Sequence, residues 1–168
     1  MAKQSPTADP ILQVQNLSRV FDVSPPWLNR VIEGQPRQLL KAVDGIDFSV
    51  KSGETFSLVG ESGCGKSTVA RLVVGLYGPS TGQIIFEGDD IGGLSRREMA
   101  PIRRRIQMIF QDPYASLNPR WRVKDIIAEP IRAFHLAHGE AAITARVTEL
   151  LEQVKLTADD GQKYPHEF

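Results

Sequence analysis

A nine-residue segment from Gly60 to Thr68 constrains this chain more than any other feature. It reads Gly-Glu-Ser-Gly-Cys-Gly-Lys-Ser-Thr, so four residues separate Gly60 from the run Gly65-Lys66-Ser67, which is the spacing of a phosphate-binding loop. Glycines in such a loop adopt backbone angles that other residues avoid, so successive N–H groups can point inward toward an anion. A helix that begins near Lys66 would add its unpaired N–H groups and its positive dipole end. The segment therefore predicts a site for the phosphates of a nucleotide.

The residue types in the loop assign separate roles. Lys66 can reach the β- and γ-phosphates, and the hydroxyl of Ser67 can ligate Mg²⁺. Thr68 is positioned to contact the α-phosphate. We therefore expect ATP and Mg²⁺ as cofactors, and the predicted nucleotide-binding residues of the loop are Gly60, Glu61, Ser62, Gly63, Cys64, Gly65, Lys66, Ser67 and Thr68.

The segments on both sides of the loop agree with this interpretation. Thr55 to Val59 is a short apolar run that predicts a buried parallel strand. Lys66 to Leu76 carries apolar residues at helical spacing and predicts a helix. The alternative is a Gly/Ser-rich turn that binds no ligand, but the order strand, loop, helix favours the phosphate site.

Elsewhere the chain alternates between predicted strands and helices. The strands are expected at Ile11–Val23, Leu39–Val50, Gln83–Phe86 and Arg105–Phe110, with a loop or insertion at Ser24–Arg37. The helices are expected at Ser95–Arg103 (with Ser95 and Glu98 as a capping box), Val123–Phe134 (kinked at Pro130) and Glu140–Leu156. The polar residues 1–10 are predicted to be disordered and not to form a signal peptide.

Composition narrows the classes of function. The formal net charge of the 168 residues is zero, which argues against a general polyanion binder. Basic residues concentrate between Arg96 and Arg132, and without interleaved aromatic residues this pattern favours a solvated or partner-binding face over a nucleic-acid site. The only cysteine is Cys64, so no internal disulfide can form. No run of 18 apolar residues is present to predict a membrane span.

Two further motifs carry a family resemblance. Met108 to Arg120 reads Met-Ile-Phe-Gln-Asp-Pro-Tyr-Ala-Ser-Leu-Asn-Pro-Arg, and the last five residues read Tyr-Pro-His-Glu-Phe. With the phosphate loop, these segments resemble the ATP-binding-cassette (ABC) transporter ATPases, and more narrowly the second ATPase subunit of oligopeptide and dipeptide importers. The resemblance implies an α/β P-loop NTPase core in residues 11–168. That core would have an N-terminal antiparallel β subdomain, and a helical subdomain would start near residue 113.

The resemblance also implies roles for individual residues. Gln111 would be the Q-loop glutamine that contacts Mg²⁺ and the attacking water, so the expected catalytic residues are Lys66 and Gln111 and the expected metal ligands are Ser67 and Gln111. Phe21 resembles the aromatic residue that stacks on adenine, with an ordinary core position as the alternative. The region from Tyr114 to Phe134 would dock on the transmembrane permease subunits.

The same family implies partners and a location. A homologous ATPase subunit would pair with this chain, a solute-binding protein would act indirectly, and no nucleic acid is expected. The chain would lie peripherally on the cytoplasmic face of the bacterial inner membrane. The cargo, whether a dipeptide, an oligopeptide, a nickel complex or a related solute, is left open.

The motifs that follow in the family are not found within these residues. The signature sequence, the carboxylate strand and the switch histidine are expected after Phe168, and Asp159-Asp160 does not follow an apolar strand that could replace the carboxylates. We therefore expect a fragment that binds nucleotide weakly and hydrolyses it poorly. The alternatives are a non-hydrolysing nucleotide-binding remnant and, with less support, a P-loop small-molecule kinase.

Overall fold

The structure is a computed structural model that describes residues 9–34 and 36–168. These residues divide into two compact units, one ending at Met108 and the other spanning Ile109–Phe168. The predicted disorder of residues 1–10 falls mostly outside the described residues; of that segment, Asp9 and Pro10 lead directly into the first strand without regular structure.

The first unit is built on an antiparallel sheet of four strands, in the order β2-β1-β3-β4. These strands are β1 (Leu12–Asp22), β2 (Leu39–Val50), β3 (Thr81–Phe86) and the short β4 (Asp89–Asp90). Strand β1 pairs with both β2 and β3, and Val14 lies opposite Phe48 on one side and Ile84 on the other. The sheet confirms the strands predicted at Ile11–Val23, Leu39–Val50 and Gln83–Phe86, and the expected antiparallel β subdomain.

A bulge in β1 explains why its apolar residues alternate only loosely. Simple alternation would place Val14 and Leu17 on opposite faces of the sheet, yet both are fully buried. Asn16 adopts a positive φ of 45°, its N–H donates to the Asp47 carboxylate at 2.8 Å, and the register shifts between Val14 and Leu17. The extra residue therefore turns Leu17 back toward the core.

Helix α2 (Lys66–Val73) packs on this sheet and begins where the sequence predicts. Its Val69 and Leu72 are buried with Val14, Leu17 and Ile84 in a single apolar cluster. The helix ends three residues before the predicted Leu76, whose side chain is half exposed.

Two predicted strands are absent from the described structure. Thr55–Val59 and Arg105–Phe110 adopt no regular secondary structure, so these two predictions are wrong. Phe56 stacks on Phe48 with ring centroids 4.8 Å apart, but Val59 is 89% exposed. A strand needs a hydrogen-bonded neighbour, and within residues 9–34 and 36–168 no strand pairs with either segment.

Two other segments differ in detail from the predictions. The insertion predicted as a loop contains helix α1 (Trp27–Glu33), and the helix predicted from Ser95 is reduced to α3 (Met99–Ile102). The capping box itself is present: the Ser95 N–H donates to the Glu98 carboxylate at 2.8 Å, and the Glu98 N–H donates to the Ser95 hydroxyl at 3.4 Å. Hydrogen bonds to the Glu98 carboxylate from the Ser95 side chain and, second, from the Ser95 N–H hold the pKa of Glu98 below its usual range. The box closes a turn here, because regular helix starts only at Met99.

The second unit is helical. It contains α4 (Pro113–Ser116), α5 (Val123–Ala133, with Pro130 inside) and α6 (Glu140–Gln153), followed by 3₁₀ turns at Ala158–Gln162 and Pro165–Glu167. Its core joins one face of α5 to one face of α6 through Ala128, Ile131, Ile143, Val147 and Leu151. The helix predicted from Glu140 is therefore confirmed, although it ends at Gln153 and leaves Val154 exposed beyond it. Within the described part of the chain, every helix is too short or too polar to cross a bilayer.

Candidate functional site

The phosphate loop leads directly into helix α2 through Gly65. This glycine is the residue before the helix, with φ +97°, and its carbonyl accepts from the Val69 N–H at 2.9 Å. A Cβ at Gly65 would lie 2.3 Å from the Ala42 carbonyl oxygen of β2. Both the left-handed backbone and the close approach to β2 therefore require glycine at this position.

Lys66 folds back over the loop that precedes it. Its ammonium donates to the carbonyl oxygens of Gly60 at 2.7 Å and Glu61 at 2.5 Å, and it lies 3.5 Å from the Cys64 sulfur. These carbonyls are neutral acceptors, so a phosphate oxygen would be a stronger partner for the ammonium. The side chain is thus held at the mouth of the loop, where it can exchange these contacts for an anion.

Most of the remaining loop residues are open to solvent, whereas Thr68 is half-buried. Ser67 is exposed in the first turn of α2, and Glu61, Ser62 and Cys64 are exposed in the loop. Gly63 has φ +84°, and a Cβ built on it would have no neighbour within 4 Å. The loop therefore presents its backbone and its serine hydroxyl to solvent and not to the protein core.

These residues fit a nucleotide phosphate with Mg²⁺. The fit rests on a glycine backbone that a Cβ would obstruct, on a helix N-terminus and on a lysine ammonium at the loop mouth. Ser67 would supply a hydroxyl oxygen, the kind of hard ligand that Mg²⁺ prefers. Among the residues that the structure describes, no group of three His, Cys, Asp or Glu side chains forms a separate metal site.

Phe21 lies in the same unit as the phosphate loop, near the end of β1. It is paired with Leu40 of β2, two residues before Ala42, whose carbonyl contacts Gly65. The Phe21 ring meets Tyr77 edge to face at 5.5 Å and is half-buried. Phe21 is not a member of the buried core cluster, which weakens the alternative of an ordinary core residue.

An arginine that the motifs did not identify stands beside this ring. The guanidinium of Arg19 lies 4.6 Å from the centroid of Phe21. The signal available in the sequence was their spacing, because residues i and i+2 of a strand point to the same face.

Gln111 lies in the second unit, two residues before α4, and its side chain is exposed. The phosphate loop belongs to the first unit, which ends at Met108. The predicted roles of Gln111 toward Mg²⁺ and water therefore stay predictions.

The second unit contains an open cavity of about 690 Å³. Arginines, carboxylates and aromatic rings share its wall, which is formed by Arg120, Trp121, Arg122, Asp125, Glu129, Arg132, Ala133 and Tyr164. Arg122 donates to the Gln162 side chain at 2.8 Å and lies 5.9 Å from the Tyr164 ring, which stacks on His166. The terminal motif thus forms part of the same wall as the basic segment, a link that sequence spacing did not reveal.

Asp160 serves a structural purpose in this unit. Its carboxylate accepts from the Lys163 ammonium at 2.6 Å and from the Thr157 N–H at 2.8 Å, closing a capping box on the 3₁₀ turn. The Lys163 hydrogen bond, followed by those from Thr157, holds the pKa of Asp160 far below its usual range. Asp159 and Asp160 thus lie in a 3₁₀ turn after α6, and, as the sequence indicates, they do not follow an apolar strand.

Comparison with protein families gives a consistent match. The model described as "ABC transporter" matches residues 43–167, about three quarters of the chain. The chain is 45% identical over 159 residues to the putative oligopeptide transport ATP-binding protein YkfD of Bacillus subtilis, covering 95% of this chain and 45% of that protein. It is 49% identical over 134 residues to the oligopeptide transport ATP-binding protein OppF of the same species, covering 79% and 44%. The chain therefore spans about half the length of these relatives.

The fold is also similar to that of a solved structure. A dimeric ATP-binding cassette in a post-hydrolysis state, bound to ADP and Pi, superposes with a TM-score of 0.74 at 21% identity. The match covers 94% of this chain and 62% of that one. At this level of identity the similarity concerns the fold alone.

Proposed function

We propose, from the premise that this chain belongs to the ABC transporter family, that it forms the nucleotide-binding part of an ATPase subunit that energises a peptide importer. The observation that carries the proposal is the phosphate loop itself. Gly65 joins that loop to the N-terminus of α2, and Lys66 is held at its mouth. The names of the relatives, which are oligopeptide transport ATP-binding proteins, support the peptide class of cargo.

Four residues of the loop, and Gln111 of the second unit, would each have a separate task in this function. The backbone N–H groups around Gly63 and Gly65 would bind phosphate oxygens, and Lys66 would neutralise the charge of the terminal phosphates. Ser67 would hold Mg²⁺, which offsets phosphate charge during phosphoryl transfer. Gln111 would orient water through its neutral amide, which both donates and accepts hydrogen bonds.

The proposal that this chain docks on permease subunits rests on the residues that line the cavity of the second unit. Three arginines and two carboxylates surround an open cavity beside Trp121, which is 44% exposed. Exposed aromatic and arginine side chains are enriched at protein interfaces. We assign this surface, within the predicted docking region Tyr114 to Phe134, to the permease subunits. Peripheral association with the cytoplasmic face of the membrane, and pairing with a homologous ATPase subunit, belong to the same proposal.

Nucleotide binding by the purified chain tests the central claim. Titration calorimetry with MgATP should detect binding, and Lys66→Ala should weaken it about 10- to 100-fold, the range for a charge-assisted hydrogen bond. Lys51→Ala is the matched control, because Lys51 is exposed in a turn before the loop and its loss removes the same charge. Equal MgATP affinity in wild type and Lys66→Ala would contradict the assignment of the loop.

Cross-linking tests the docking surface separately. In a Cys64→Ala background, Trp121→Cys should cross-link to the permease subunits of the same transporter in membranes. Ser95→Cys, an exposed position in the first unit, is the control. If Ser95→Cys cross-links to the permease subunits to the same extent as Trp121→Cys, the docking assignment is wrong. This conclusion holds even where MgATP binding is normal.

A further inference from the structure

Arg19 occupies an unusual position for a charged residue of a sheet. Its guanidinium lies 4.6 Å from the centroid of Phe21 and 5.9 Å from that of Tyr77. One of its Nη atoms donates to the Gly78 carbonyl at 2.7 Å. Its Nε is buried and has no hydrogen-bond partner among the residues that the structure describes. Buried donors without a partner are uncommon, so this arrangement calls for a reason beyond packing.

The contacts of Arg19 connect Phe21 to the end of the phosphate-loop helix. Tyr77 and Gly78 lie in the turn that follows α2, and the Tyr77 N–H donates to the Arg71 carbonyl of that helix at 3.2 Å. The neighbouring Val20 N–H donates to the Ser80 hydroxyl at 3.0 Å, which fixes the same stretch of β1 to the same turn. Phe21 is therefore held at one end by β2, whose Ala42 contacts Gly65, and at the other by the turn that ends α2.

The chemistry of arginine suits the support of an aromatic ring. A guanidinium is planar, so it can lie against a ring and still donate hydrogen bonds in its own plane. Here one ring contact and one hydrogen bond to Gly78 are made at once. Phe21 is partly exposed in this arrangement.

We propose that Arg19 is a positioning residue for the nucleotide base: it holds the ring of Phe21 at a set distance from the phosphate loop, so that a purine can stack on the exposed part of the ring. This inference rests on the proposed function, because it requires Phe21 to contact the base. Arg19 itself touches no ligand in this scheme. It acts through Phe21 and increases affinity for the base without changing affinity for the phosphates.

A purely structural role makes a different prediction. If Arg19 only stabilised the sheet, its loss would lower the affinity for all ligands of the loop by the same factor, or would change none of these affinities. The discriminating quantity is therefore the ratio of two affinities, MgATP over magnesium triphosphate, because inorganic triphosphate has the phosphates but lacks the base.

The experiment measures both ligands by calorimetry on the full chain. Wild type should bind MgATP more tightly than magnesium triphosphate. Phe21→Ala should lower the ratio about 5-fold or more, as expected for the loss of one base–aromatic stack. Arg19→Met, which keeps the length of the side chain, should lower the ratio about 3-fold with the triphosphate affinity unchanged. The double variant should resemble Phe21→Ala alone, since residues that act as one unit are not additive.

Controls separate the possible outcomes. Arg96→Met removes an exposed arginine of the same unit and should leave the ratio unchanged. Arg19→Lys retains the charge without the planar fork, and it replaces Arg19→Met if thermal unfolding shows that the methionine variant does not fold. An unchanged ratio in a folded Arg19 variant, additive effects in the double variant, or equal wild-type affinity for the two ligands would each overturn the proposal. By contrast, failure of wild type to bind either ligand would overturn the proposed function itself.

Discussion

Helix α2 and the segment Thr55–Val59 lie on either side of the phosphate loop and are both rich in apolar residues, but they are buried to different extents. Leu72 of α2 is fully buried, whereas Val59 is 89% exposed. A helix makes its backbone hydrogen bonds within itself, so one apolar face against β1 and β3 is enough to bury it. A strand needs a neighbour at its edge before its side chains can be covered. Similar apolar content therefore leads to different burial in the two segments.

The conformation of the phosphate loop between these segments depends on contacts with α2 and β2. A pair of glycine substitutions tests this dependence with the largest expected effect. Gly65→Ala should destabilise the chain by about 3 kcal/mol or more, because left-handed strain of about 1–2 kcal/mol adds to an overlap with the Ala42 carbonyl. Gly63→Ala should cost only about 1–2 kcal/mol, since its φ is positive but its surroundings are open. Urea unfolding measures both.

MgATP titration of the same two variants gives a second reading. Only Gly65→Ala should displace the N-terminus of α2, so its loss of affinity should exceed that of Gly63→Ala. Equal stability losses in the two variants would show that contact with β2 does not hold the loop.

The next test compares the two flanking segments directly. Leu72→Ala should destabilise the chain by about 2–5 kcal/mol, the usual cost of a cavity at a fully buried leucine. Val59→Ala should change stability by no more than about 0.5 kcal/mol, as for other exposed positions. Urea unfolding measures both free-energy changes, and the dependence of unfolding free energy on urea concentration should be the same in the variants as in wild type. A cost above 1 kcal/mol for Val59→Ala would mean that the segment is packed in solution.

The smallest effect concerns the capping box of Ser95 and Glu98, another locally determined turn. Hydrogen bonds to Ser95 lower the pKa of Glu98 in the folded chain. The box should therefore contribute fully above the unfolded-state pKa of Glu98 and be lost as the pH falls through its lower folded pKa. Amide exchange at Ser95, followed by NMR from pH 6 downward, should show protection that decreases with acid. Glu98→Gln should remove this acid dependence, and a wild-type profile that is flat in the same range would contradict the assignment.

The parts of the fold that the sequence predicted correctly are those with short-range causes. The start of α2 at Lys66, the start of α6 at Glu140 and the reciprocal hydrogen bonds of Ser95 and Glu98 all depend on residues a few positions apart. The predictions of strands at Thr55–Val59 and Arg105–Phe110 are wrong, because strand pairing depends on residues that are distant in the sequence. The helix Trp27–Glu33 was missed because the prolines and glycine around it indicated a loop.

The candidate site also has some features that the sequence predicts and others that depend on long-range contacts. The motif identified the residues Gly60 to Thr68 and their chemistry, but the reason for glycine at position 65 includes the Ala42 carbonyl, 23 positions away. The neighbours of Phe21 were likewise not visible, since Tyr77 and Gly78 meet β1 only through the fold. Gln111 stays a prediction from resemblance.

By itself, then, the amino-acid sequence determined the ligand class, the family and the local geometry of the loop, because four-residue spacing, glycine and a helix start act within a few residues of one another. Tertiary structure alone decided which apolar segments are buried, how Asn16 turns Leu17 toward the core, and which side chains surround Phe21. Those outcomes depend on contacts between residues far apart in the chain, and such contacts form only when the backbone hydrogen bonds of both partners can be satisfied together.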